Sequence, residues 1–314
     1  MGAFHCPVGA DVKGGGSCIE CGMCVALTRE ERKAASDKVR AFLRSSASAR
    51  LDRYVIRKIA VCGKGGVGKS TITAMTAIAL RDMGYEVLVI DTDESNAGLH
   101  KKLSLTELPK PLITLLPRFS EDGQPDAGWL TADELTFEDI PEDYMVEDNR
   151  LRFMMAGKIE DALEGCACSL SDVVKLLLSK IKVEDRQIVI VDNEAGIESF
   201  GRGLEQYVDT ILVVTEPSYE SISMAGTIKY MAEGLGIKRV RAIINKVTSD
   251  KAEKITIKNL LDNEVKYLGA LRMDDDILEA GLMGQQVAEC DAKTKLEGII
   301  KLLLDESEMK YNKI

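Results

Sequence analysis

Gly63-Lys64-Gly65-Gly66-Val67-Gly68-Lys69-Ser70 decides the fold, because it fits G-x-x-x-x-G-K-S and joins an apolar run at 55–62 to an Ala- and Ile-rich stretch at 70–83. The run reads as a strand and the stretch as a helix, which is the setting in which this motif cradles phosphate. Its glycines let successive backbone N–H groups converge on β- and γ-phosphates, and the helix N-terminus adds partial positive charge. In that arrangement Lys69 holds the β- and γ-phosphates and Ser70 ligates Mg2+. Thr71, next in the helix, completes the nucleotide contacts that begin with Gly63, Lys64, Gly65, Gly66, Val67 and Gly68.

Outward from the motif, short apolar runs alternate with helical stretches: 86–90, 151–155, 171–181, 187–191, 210–214, 218–233, 239–244 and on to 296–304. Such alternation needs crossover connections, so the expected class is α/β, a mainly parallel sheet with helices on both faces. Residues 106–149 break the pattern with five prolines and many acids. They read as an inserted loop region with a short helix, lying over the working edge of the sheet. At the other end, residues 1–27 are rich in Gly and Cys and form a small appended module. Thr28 and Glu31 make a capping box, and Ala35, Val39, Phe42 and Leu43 follow at helical spacing. The expected organisation is therefore a Cys-rich module at 1–27, a linker helix at 28–53 and a P-loop ATPase domain at 54–314.

The chain of 314 residues, 45% hydrophobic, is long enough for one large core or two modest ones. No apolar run reaches the length of a membrane span, and residues 1–10 lack a basic stretch followed by an apolar one, so a cytoplasmic location is expected. A net charge of −10 repels nucleic acid and anionic lipid, and no basic patch offsets it, which leaves proteins and small ligands as partners.

Six of the eight cysteines are grouped, Cys6, Cys18, Cys21 and Cys24 at one end and Cys166 and Cys168 in the middle. Grouping in a reducing compartment points to metal rather than disulfides. Cys166 and Cys168 supply two thiolates, too few for a tetrahedral metal, whereas two chains would supply four and select Zn2+, Ni2+ or Cu(I). The other reading is a pair of ordinary loop cysteines. Cys18-x-x-Cys21-x-x-Cys24 with Cys6-Pro7 is similar to ferredoxin ligation of a 4Fe-4S cluster; Zn2+ with His5 as a further ligand, or an unmetallated tail, are the alternatives. Cys62 and Cys290 stand alone and read as buried inert thiols.

Two apolar runs end in acids, Asp91-Thr92-Asp93 and Asp192-Asn193-Glu194-Ala195-Gly196. Both place carboxylates at the C-terminal edge of a parallel sheet, where ligands bind. For Asp91 a helix N-cap is an equally good reading. Asn245-Lys246 follows the run at 239–244, where an asparagine is also a common turn residue.

Lys64 is not required by an ordinary P-loop, and with it the motif resembles the deviant Walker A family that includes MinD, ParA and the nitrogenase iron protein. The resemblance implies that Lys64 reaches across a dimer to the partner's nucleotide, so that ATP binding drives dimer closure. It further implies that Asp93 orients the attacking water, that Asp192 holds Mg2+ through water, that Gly196 senses the γ-phosphate by its backbone, and that Asn245, with Lys246 beside it, faces the adenine. Lys64, Lys69, Asp93 and Asp192 are then the catalytic set. A longer match runs from Gly157-Lys158-Ile159-Glu160 through Glu164-Gly165-Cys166-Ala167-Cys168, and includes Asp192 through Glu198 and Gly201-Arg202-Gly203. These segments look like the CooC group, the nickel-insertion ATPases of carbon monoxide dehydrogenase, over roughly residues 57–305. That implies a homodimer gated by ATP and metal, which binds Ni2+ or Zn2+ through the C-x-C of both subunits and serves a client nickel-iron-sulfur enzyme. Asn193, where a methionine is expected, and the N-terminal cysteines depart from the pattern.

Two other functions fit the same P-loop. An ATP-gated iron-sulfur electron donor like the nitrogenase iron protein would take one cysteine from each of two separated segments, but here both lie together and the second switch has none. A positioning ATPase like MinD or ParA would need a basic face or tail. The last helix, with Leu296, Ile299, Ile300, Leu303 and Leu304 in a stripe followed by Asp305-Glu306, is instead expected to pack on the sheet.

Overall fold

Alternation along the first strand, β1 (Lys58–Cys62), sends Ile59 and Val61 to one side of a sheet and Ala60 and Cys62 to the other, and all four are buried. Burial on both sides is what a strand between two helical layers requires. The computed structural model describes residues 34, 38, 56–93, 98–116, 128–157, 167–197, 200, 203–287 and 290–311. The Cys-rich module at 1–27 lies outside them, and of the linker helix only Ala34 and Lys38 are described, both helical.

The remaining strands are β2 (Glu86–Asp91), β3 (Val146–Asp148), β4 (Leu151–Met155), β5 (Gln187–Asp192), β6 (Thr210–Thr215), β7 (Arg239–Val247) and β8 (Lys266–Arg272). They form one sheet in the order β3-β4-β2-β5-β1-β6-β7-β8, parallel except for the β3–β4 pair. β1 lies between β5 and β6, although the chain runs from it to β2, so the strand order reverses beside β1. A crevice opens at such a reversal, at the C-terminal ends of the strands.

Helix α1 (Lys69–Asp82) contributes Ile72, Met75 and Ile78 to one face, where they pack with Val61, Val89 and Ile190. The long C-terminal helix (Asp291–Tyr311) joins that face through Leu296, Ile299, Ile300 and Leu303, as its stripe predicts. The opposite face is covered in two parts. The helix Ala167–Lys180 places Val174, Leu177 and Leu178 over Leu88, Ile90 and Val191, while Tyr219–Gly234 places Ile222, Ala225 and Ile228 over Ala60, Ile211 and Val213. Serines cap two helices: Ser218 Oγ accepts from Ser221 N at 3.3 Å and Ser249 Oγ from Ala252 N at 3.2 Å.

Residues 106–149 are the irregular insertion expected, but much of their described part packs into the core instead of lying over the working edge. Their described part carries short 3-10 turns at Leu112–Leu115, Gly128–Thr131, Phe137–Asp139 and Glu142–Tyr144, and then β3. Leu112, Leu130, Phe137, Ile140 and Tyr144 are buried in the core beneath Ala167–Lys180. Ile113 N donates to Ala156 O at 2.8 Å, so the first of these turns reaches the strand ends. Arg152 on β4 fastens the segment: its guanidinium donates to Glu86, Glu138 and Glu147 at 2.9, 3.3 and 2.9 Å and lies 5.3 Å from the centre of the Phe137 ring. Cys290 also departs from expectation, being half-buried where Cys62 is fully buried.

Lys58 starts β1 with its ammonium against Leu178 O at 2.6 Å. Burial pushes it down to about 8, opposed by the carboxylate of Asp209. The unfolded chain holds that proton up to about pH 10.4, so the folded state binds fewer protons between those values and gains stability as pH rises through them. Lys58→Met removes this gain. Its stability relative to the parent is expected to fall from pH 7.5 to pH 10, as read by urea denaturation at each pH; a constant difference would place the Lys58 ammonium in water.

Candidate phosphate-binding site

The loop after β1 is shaped by two glycines that a side chain would obstruct. Gly63 has φ +147°, and a Cβ there would stand 2.3 Å from Val214 O; Gly68 has φ +95°, and a Cβ there would stand 2.6 Å from Asn245 Nδ2. Gly68 is also the N-cap of α1, which carries no side-chain cap and no acid in its first turn. With no side chain capping it and no acid to offset its dipole, the N-terminus of the helix favours an anion. Lys69, 6% exposed, adds a cation at the same point. Thr71, one residue beyond Ser70, is half-buried.

The end of β7 braces the loop from behind. Asn245 Nδ2 donates to Val67 O at 2.9 Å and Lys246 Nζ to Gly66 O at 2.5 Å, with Lys246 held at φ +57°. Asn245 therefore spends its amide hydrogen-bonding capacity at least partly on the loop.

β1 and β5 bring the acids alongside, since Val61 pairs with Asp192 and Asp91 with Asp192 across the sheet. Asp192 is completely buried. Its Oδ1 accepts from Thr73 Oγ1 at 2.8 Å and its carboxylate also accepts from Ser70, while Oδ2 has no partner among the described residues. Burial pushes the carboxyl up to about 6, against those two hydrogen bonds and the Lys69 charge. A buried carboxylate oxygen left open beside a serine hydroxyl fits a hard cation with oxygen ligands. Thr92 ties the two acidic strand ends together, its hydroxyl donating to Asp192 O at 2.9 Å. Asp91 does not cap a helix; its Oδ1 accepts from Asp93 N at 3.1 Å, and Asp93 stands half-buried near enough to Asp192 to raise it further.

Gly196 lies against the loop, its N donating to Gly63 O at 3.2 Å across an isolated bridge. Lys64 points the other way, 4.0 Å from Glu216 Oε1 at the end of β6, with side-chain exposures of 38% and 26%. A pair that exposed contributes little, so the lysine is easily released.

Thr73, Thr92 and Glu216 were not singled out from the sequence. Thr73 had a signal, standing three residues after Ser70 and so on the same helix face; the pairing of Lys64 with Glu216 had none. Cys166, Cys6, Cys18, Cys21 and Cys24 lie outside the described residues, and Cys168 falls in the first turn of the helix Ala167–Lys180. Among the described residues no group of three or more His, Cys, Asp or Glu is placed to hold a metal, and no helix is long and apolar enough to cross a membrane.

The sequence model of the CobQ/CobB/MinD/ParA nucleotide-binding domain matches residues 58–287, the sheet and the phosphate loop together. The chain belongs to this family of P-loop ATPases. Two curated relatives share much of its length. An uncharacterized ATP-binding protein of Methanocaldococcus jannaschii is 39% identical over 239 residues, 73% of this chain and 93% of that one. The carbon monoxide dehydrogenase accessory protein CooC of Rhodospirillum rubrum is 35% identical over 234 residues, 72% of this chain and 88% of that one. Among solved structures, the MinD cell division protein of Aquifex aeolicus superposes with a TM-score of 0.59 at 19% identity, over 79% of this chain and 97% of that one. At that identity the likeness is one of fold. The matched residues include Gly63 to Ser70 and the strand ends at Asp91 and Asp192, which pair across the sheet.

Proposed function

We propose that the protein is a dimerising, ATP-hydrolysing metallochaperone that carries Ni2+ or Zn2+ on Cys166 and Cys168 of two subunits and assists nickel insertion into a carbon monoxide dehydrogenase or related enzyme. What supports it best is the 35% identity to the CooC accessory protein across 88% of that chain, together with the C-x-C pair.

Lys69 and the uncapped N-terminus of α1 bind the β- and γ-phosphates and hold ATP in one orientation. Ser70 and the open Asp192 oxygen would hold Mg2+, which supplies neutralisation of phosphate charge when bound. Asp93 orients the water that attacks the γ-phosphorus, giving ADP and phosphate. Gly196 reads the γ-phosphate through its backbone, Asn245 and Lys246 line the base side, and Lys64 serves the partner's nucleotide. The metal is cargo, and its thiolate site is complete only while two chains are joined. The N-terminal Cys6, Cys18, Cys21 and Cys24 form a second metal module, with a 4Fe-4S cluster as its occupant.

The reading is tested by anaerobic metal analysis and sizing of the full chain and of Cys166→Ala/Cys168→Ala, with and without ATP and Ni2+. About one Ni2+ or Zn2+ per dimer is expected, lost in the double variant while nucleotide binding stays. Iron and sulfide lost with the same pair would turn the reading to an ATP-gated electron donor. No metal on that pair in either state would sink the chaperone.

A further inference from the structure

Cys62, Asn193 and Glu205 form a buried polar cluster directly beneath the phosphate loop, exposed by 1%, 1% and 0%. Asn193 is its hub. Its backbone N donates to Val61 O at 3.2 Å, and its side-chain Nδ2 donates to Cys62 Sγ at 3.2 Å and to Glu205 Oε1 at 3.0 Å. Cys62 is the residue before Gly63, and Asn193 is the residue after Asp192. Glu205 sits in the 3-10 turn Leu204–Tyr207, which begins at Gly203 with φ +80°. One amide, both of its hydrogens used, thus joins the neighbours of two site residues to a third point across the second acidic segment. Burial and the Glu205 carboxylate push the Cys62 thiol up, so it stays protonated and the contact stays a neutral one.

We propose that Asn193 is a positioning residue for turnover. Its amide fixes the Asp192 end of β5 and the following Gly196 against the Gly63 end of the loop, with Glu205 as the anchor. The proposal rests on the reading that this site hydrolyses ATP. A side chain without a donor leaves the Glu205 oxygen without that bond and frees the strand end to settle elsewhere, and small misplacement of reacting groups is costly in rate.

The test compares three variants of the full chain for Mg·ATP turnover, affinity for a fluorescent ADP analogue, and thermal unfolding. Glu205→Gln keeps an oxygen to accept from Asn193 and is expected to keep kcat within about threefold. Asn193→Leu removes the donor and is expected to lower kcat by roughly tenfold or more with KM and ADP affinity little changed. In Asn193→Leu/Glu205→Leu the buried carboxylate goes as well, so stability recovers but kcat is expected to stay low. A double variant with the parent's kcat would overturn the proposal, since the amide would then serve only to satisfy Glu205. An equal loss of ADP affinity would overturn it too, making the cluster a support for the loop alone. Absence of turnover in the parent chain would take down the ATPase reading itself, a result seen before any variant is made.

Discussion

Asp192→Asn is expected to lower ATP turnover by at least about a hundredfold while leaving the nucleotide-free protein as stable as its parent or more so. The two effects part because Asp192 is fully buried, and burial pushes its carboxyl up to about 6, so near neutral pH the fold carries an ionised group that its surroundings disfavour. An amide of the same shape keeps an oxygen for the Thr73 hydroxyl, 2.8 Å away, and sheds the charge. What it lacks is the second anionic oxygen, Oδ2, which has no partner among the described residues. Phosphate release and melting curves in chelator decide the matter. A variant that melts lower and turns over normally would make Asp192 a structural acid.

Lys64→Ala is expected to leave nucleotide affinity within about threefold and to cut turnover by roughly tenfold to a hundredfold, with loss of ATP-dependent dimerisation on sizing. Within its own subunit Lys64 makes a 4.0 Å contact with Glu216, and both side chains are partly in water. Breaking such a pair costs well under about 1 kcal/mol, so local support of the loop is a poor account of this lysine. Glu216→Gln serves as the comparison: it removes the same ion pair and is expected to leave dimerisation intact. Equal defects in the two variants would mean that the ion pair, and not a reach to a second subunit, is what matters.

Much of the fold was legible because its signals are local. The strand-motif-helix sequence around Gly63–Ser70 and the apolar runs at 86–90, 187–191 and 210–214 lie within a residue of β2, β5 and β6. Boundaries drifted where polar residues continue an element: the last helix runs Asp291–Tyr311 instead of 296–304, because Asp, Lys and Glu on its wet side carry no apolar period. The core packing of residues 106–149 was missed for a related reason. The 3-10 turns among the described residues there, of three or four residues each, bury Leu112, Phe137 and Tyr144, and elements so short complete no period that a pattern could reveal. In the site, residue types and spacing pointed to Lys69, Ser70 and Asp192, which the fold brings together. They could not show that the Asn245 amide is given to Val67 O, or that Asn193 finds Glu205 twelve positions away, since both depend on the tertiary arrangement of segments.

The bridge between Gly63 and Gly196 changes what nucleotide recognition at this loop amounts to. The Gly196 N–H donates to the Gly63 carbonyl oxygen at 3.2 Å, and on the proposed reading a phosphate oxygen would compete for it. On that reading a γ-phosphate claiming the donor would add no bond there; it would swap a neutral acceptor for a charged one. The chain's own backbone would then be the rival ligand, and the difference between ATP and ADP at this point would reduce to an exchange of acceptors, sensitive to anything that strengthens or weakens the bridge.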